Sequence, residues 1–77
     1  MNPIEKEYEI FLHNIVWLRN HYELSKEKMA EIMNITVNML NQIESGKMPD
    51  NLSVEALLKI GKFFKIKPKD LLSVKFI

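Results

Sequence analysis

Two eight-residue segments, Lys26–Met33 and Val37–Glu44, are separated by only Asn34-Ile35-Thr36, and this spacing constrains the fold more than any other feature of the chain. Ser25 and Thr36 stand before the two segments. A hydroxyl residue in that place accepts a free backbone N–H of the first helical turn, so each segment reads as a short helix with its own start. Asn34 ends the first helix, because asparagine tolerates the left-handed backbone of a tight stop better than any other residue with a side chain. Ser45-Gly46 ends the second, with Gly46 as the residue just past the cap. The inward positions are Met29, Ala30 and Met33 on one helix and Leu40 and Ile43 on the other.

The flanking sequence continues the helical reading. Ile4, Tyr8, Phe11, Leu12, Ile15, Leu18 and Tyr22 recur at the three- and four-residue spacing of an amphipathic helix running from about Ile4 to His21. Asn2 is placed to cap it, with Pro3 at its first position. After a loop over 47–52 that contains Pro49, Ser53 is expected to cap a helix over Val54–Phe64, with Leu57, Leu58, Ile60 and Phe64 inward. Lys67-Pro68 opens a last short helix through Leu72. The tail from Ser73 to Ile77 alternates Val74 and Phe76 with polar neighbours, and reads as a strand or an extended arm. The expected architecture is all-α, a five-helix bundle over residues 1–72 followed by an apolar tail over 73–77.

Stability must come from packed side chains, since the 77 residues include no cysteine to form a disulfide or a thiolate-zinc staple. A composition 47% hydrophobic and 27% charged is enough for one small core and too apolar for disorder. No apolar run reaches the roughly 18–20 residues of a membrane span, and Glu5, Glu7 and Glu9 stand where a secretory leader would be basic. A cytoplasmic protein is expected. The net charge of +1 hides an asymmetry, with residues 1–31 carrying −2 and residues 32–77 carrying +3. That distribution suits an anionic partner and equally a solvated lysine-rich surface.

Two short helices joined by a three-residue turn have the organisation of a helix-turn-helix. From Ile15 to Leu72 the sequence resembles the Cro/C1 repressor type of that motif, the XRE family. The resemblance rests on Leu18-Arg19, Leu24-Ser25, Met29-Ala30-Glu31, Ile35-Thr36, Ile43-Glu44-Ser45-Gly46-Lys47, Leu57-Leu58-Lys59-Ile60 and Asp70-Leu71-Leu72, in order. It implies a bundle of the lambda-repressor-like DNA-binding type with the motif at the second and third helices. Arg19 and Glu44 match the family's ion pair between the first helix and the end of the third. Lys26 stands where the family usually has glutamine, Asn34 and Lys65 where it prefers glycine, and Pro49-Asp50-Asn51-Leu52 departs from its usual linker.

The resemblance implies that the third helix enters the major groove of duplex DNA, with Val37, Asn38, Asn41 and Gln42 facing base edges and Met39 at the margin. Asparagine and glutamine can bond adenine bidentately, and valine can meet a thymine methyl. Ser25, Lys26, Thr36 and Lys47 are expected to hold phosphates. The third helix itself carries no lysine or arginine, which makes weak intrinsic affinity an expectation.

Ile10 and Trp17 lie seven residues apart on the side of the first helix opposite its core stripe. Either the tail, with Val74, Phe76 and Ile77, folds back over them, or a second subunit does. In the second case Ile10, Trp17, Val74 and Phe76 form a two-fold dimer interface. Glu9 and His13 are spaced as two metal ligands on a helix, but no third ligand is evident, and no nucleophile–base pair or phosphate-binding glycine loop is discernible. No cofactor, metal, small-molecule ligand or enzymatic activity is expected. The expected function is sequence-specific duplex DNA binding by a homodimeric, repressor-like regulator. The competing class is a protein-interaction module, antitoxin-like or regulatory, that keeps the fold with little DNA affinity.

Overall fold

A computed structural model describes residues 3–77, with side chains from Lys6 onward. The long amphipathic segment forms α1 (Pro3–His21), and the two short ones form α2 (Lys26–Met33) and α3 (Val37–Glu44). They are followed by α4 (Val54–Phe64) and α5 (Pro68–Ser73). The Asn2 cap and the Ile4 side chain lie outside the described residues. Among the described residues there is no strand, and no helix is long and apolar enough to cross a membrane.

The caps do what their residue types allow. Ser25 Oγ accepts the Lys28 N–H at 3.0 Å and Thr36 Oγ1 accepts the Met39 N–H at 3.1 Å. Ser53 has the extended backbone of a cap, but its hydroxyl makes no capping bond, contrary to expectation. The Ala56 N–H bonds the Ser53 backbone carbonyl instead.

One device ends four of the five helices. Glu23, Asn34, Gly46 and Lys65 all have left-handed backbone. In each case the next residue sends its N–H back to the carbonyl five positions earlier: Leu24 to Arg19, Ile35 to Ala30, Lys47 to Gln42 and Ile66 to Gly61, at 2.9–3.0 Å. This bond satisfies a carbonyl the helix leaves free and reverses the chain within one residue. The half-buried Leu24, Ile35 and Ile66 that follow pack back against the core. Every connection after α1 starts from this stop, which is how five helices fit into so short a chain.

The core draws on all five helices. Phe11, Ile15 and Leu18 from α1 meet Met29, Ala30, Ile32 and Met33 from α2, Leu40 and Ile43 from α3, Ala56 and Ile60 from α4, and Leu71 from α5. Three residues expected inside are not. Tyr8 is 45% exposed because it lies near the open end of α1, beside the 47–52 loop. Tyr22 is 53% exposed because α1 stops at His21, so helical spacing no longer sets its direction. Leu58 is 53% exposed because α4 buries the stripe of Ala56, Ile60 and Gly61, and residue 58 lies on the other side.

The tail is an extended arm rather than a strand, and it folds back over α1. Asn14, fully buried, donates from Nδ2 to the carbonyls of Leu71 (3.0 Å) and Val74 (2.7 Å) and accepts the Phe76 N–H at Oδ1 (2.9 Å). His13 Nε2 bonds the Phe76 carbonyl at 2.7 Å. Phe76 then packs against Trp17 in a T-shaped pair, with ring centroids 5.6 Å apart.

Candidate nucleic-acid interface

The geometry of the motif is set by one charged anchor. Arg19 reaches from the last turn of α1 and donates from Nε and Nη2 to the two carboxylate oxygens of Glu44, at 2.5 and 3.1 Å, while Nη1 donates to the Leu24 carbonyl at 3.1 Å. A planar guanidinium makes these bonds from three separate nitrogens, two of them paired on one carboxylate, a fork that the single nitrogen of lysine does not offer. The end of α1, the entry to α2 and the end of α3 are thereby held together. The side chains retain 20% and 14% exposure, so this is a half-buried pair whose main effect is positional.

Crossing α2 and α3 places α3 with Leu40 and Ile43 buried and Asn38, Asn41 and Gln42 exposed. Among the described residues, the Asn38 and Gln42 side chains make no internal hydrogen bond, so their amides are available to a partner. Val37 is half-buried and packs against the core, and Met39 is half-buried at the margin, so neither stands clear of the protein like the three amides.

Asn41 is held by a residue from the other helix. Lys26, the first residue of α2, donates from Nζ to Asn41 Oδ1 at 3.0 Å. The amide is oriented with both Nδ2 hydrogens free and one acceptor lone pair remaining. The contact also brings a cation to the middle of a helix that has none of its own. Spacing along either helix alone does not reveal this pair, because the two residues meet only through the crossing.

The remaining residues with expected phosphate roles are exposed. Ser25 and Thr36 spend acceptor capacity on their caps and keep hydroxyl hydrogens to donate. Lys47 follows Gly46 at the end of α3 and is exposed. Ser25 and Thr36 mark helix N-termini, whose free N–H groups favour anions. Of the residues expected at a dimer face, Trp17 and Phe76 pack on each other within the chain, Val74 is half exposed and Ile10 is half-buried. His13 is engaged with the tail carbonyl, and no group of three metal-ligating side chains occurs among the described residues.

Sequence reasoning did not single out Asn14 or the His13–Phe76 bond. A polar residue at the margin of an apolar stripe was the available signal, and its partner lies about sixty residues away.

Neither a curated protein nor a solved structure matches the chain. A helix-turn-helix family model matches residues 15–71, the span from mid-α1 to α5. That span holds the Arg19–Glu44 anchor, both crossed helices and the exposed amides, and on these grounds the chain belongs to the Cro/C1-type (XRE) helix-turn-helix family of DNA-binding regulators.

Proposed function

We propose that the protein is a sequence-specific reader of duplex DNA that acts as a homodimer in a repressor-like role. The observation that carries this reading is the line of exposed amides on α3, Asn38, Asn41 and Gln42, with Lys26 tied to the central one. Amide side chains match the N6/N7 edge of adenine, so half-sites rich in A·T pairs are expected. Lys26 and Lys47, the Ser25 and Thr36 hydroxyls and the N-termini of α2 and α3 hold the flanking phosphates.

Two copies are invoked because one copy brings few charges. Phosphate neutralisation supplies much of the binding free energy, and a second half-site adds affinity without requiring new contacts on the first. The dimer reading therefore rests on this energetic need and not on an uncovered apolar face, since the tail already covers Trp17. Selection from a randomised duplex pool tests the proposal. Enrichment of a two-fold site with half-sites about 34 Å apart is the expected result. A pool that shows no enrichment at low salt removes the reading.

A further inference from the structure

Apart from Lys47, the basic residues of the second half of the chain belong to α4, α5 and the segments that follow them. Lys59, Lys62, Lys65, Lys67, Lys69 and Lys75 against Asp70 give residues 59–77 a side-chain charge of +5. Three of them, Lys65, Lys67 and Lys75, line with one carboxylate, Asp70, a groove of about 660 Å³ between the end of α1, the α4–α5 turn and the tail. Among the described residues no carboxylate forms an ion pair with any of the three. The groove also holds four aromatic rings in two pairs, Trp17 T-shaped with Phe76 and Tyr22 tilted on Phe64 at 5.2 Å. Tyr22 is 53% exposed, and Val74 and Ile77 at the rim are half and fully exposed.

Lys65 allows the groove and the turn to be probed by one substitution. It is the residue at the left-handed stop of α4, with φ of 58°. Glycine occupies that conformation without strain, whereas a side chain there costs stability. Lys65 lines the groove from that stop, so its replacement by glycine changes the charge of the groove and the stability of the turn in opposite directions.

We propose that this groove docks an acidic peptide segment of a partner protein. Its apolar side chains sit against the Trp17–Phe76 and Tyr22–Phe64 pairs and its carboxylates meet Lys65, Lys67 and Lys75. The charge selects this occupant. Two copies meeting groove to groove would oppose six lysines against two Asp70 carboxylates. A duplex backbone would meet the lysines but has no apolar group for the rings. The proposal is independent of the DNA-reading face.

Trp17 is the only tryptophan, so its fluorescence reports on the groove directly. The test titrates the full chain with three synthetic peptides without tryptophan: one alternating Glu with Leu and Phe, its Lys-for-Glu reversal, and one alternating Glu with Ser. The expected result is a saturable change in Trp17 emission with the first peptide alone, weakened by salt. Lys67→Ser and Lys75→Ser should each weaken it about two- to fivefold, and Tyr22→Ser about tenfold. Lys65→Gly should weaken it by the same few-fold while raising Tm by a few degrees, a pairing that a merely structural role does not produce. Equal binding of the reversed or Glu-Ser peptide, or unchanged affinity in the lysine variants, overturns the proposal. So does displacement of the peptide by duplex DNA. Self-association of the chain that the peptide competes away would assign the groove to a second copy, and also overturns it. Lys65→Gly should bind a selected duplex as wild type does, so the two readings can fail separately.

Discussion

Asn14 and Phe76 are 62 residues apart, and the side-chain amide of the first accepts the backbone N–H of the second at 2.9 Å with no part of Asn14 open to solvent. The same amide donates to Leu71 and Val74, so it closes the end of α5 from a neighbouring helix, and among the described residues no buried side-chain nitrogen or oxygen is left unpaired. An apolar residue at position 14 would strand two carbonyls and one N–H, each costing about 1–3 kcal/mol if water cannot reach it.

Asn14→Leu is therefore expected to lose about 2 kcal/mol of stability, or ~8–16 °C in Tm for a domain of this size. Phe76 should leave Trp17 at the same time. Thermal denaturation followed by circular dichroism, together with the emission maximum of Trp17, checks both. An unchanged Tm would mean that the tail does not hold this position.

Arg19→Met should cost about 3 kcal/mol, the low end for breaking a buried pair because both side chains keep some exposure. Glu44 is then left without its guanidinium. The double variant Arg19→Met/Glu44→Leu should recover much of the loss, since an apolar pair carries no desolvation penalty. Chemical denaturation of the two singles and the double gives the coupling. Additive losses would contradict the pairing.

Gly61 faces the turn that carries Ile66. A Cβ built there would stand 2.6 Å from the Ile66 carbonyl oxygen, a backbone atom with little room to retreat. Gly61→Ala is expected to destabilise by about 1–3 kcal/mol despite the better helix propensity of alanine. Gly46→Ala meets no neighbour, and its cost of about 1–2 kcal/mol should come from the left-handed backbone alone. Urea midpoints measure both.

In the proposed dimer on selected DNA, Lys26 and Lys47 from two copies would present four cations to phosphates. The logarithm of the binding constant should fall with the logarithm of salt concentration at a slope of about −3.6, at 0.9 per phosphate. Lys26→Ala should reduce the slope by about 1.8 for the dimer, because the contribution is lost from both copies. Asn41→Ala should leave the slope nearly unchanged and relax base preference at one position of each half-site. Fluorescence anisotropy over a salt series measures each. A slope unaffected by Lys26→Ala would remove that residue from the phosphate contacts.

All five helices were legible in the sequence, because each has an apolar stripe at helical spacing and a cap or proline at its start. The boundaries of α2 and α3 follow from Ser25, Asn34, Thr36 and Gly46, whose side chains or backbone freedom act within a few residues of themselves. The amides of α3 were legible as exposed for the same reason, since burying Leu40 and Ile43 leaves them no other side.

What the sequence determined by itself was local: where helices start, where they stop and which stripe each must bury. Only the packed chain decided the rest. Glu23 and Lys65 took left-handed stops without being glycine or asparagine, because core contacts of Leu24 and Ile66 offset the backbone cost. Lys26 met Asn41 and Asn14 met the tail because separate elements packed together, and hydrogen bonds of 15 to 62 residues' separation leave no periodicity to read, so the Arg19–Glu44 pair was legible only through the family resemblance. Helix propensity and capping act over a turn or two of chain, whereas a polar side chain chooses its partner by the distances and burial that packing creates.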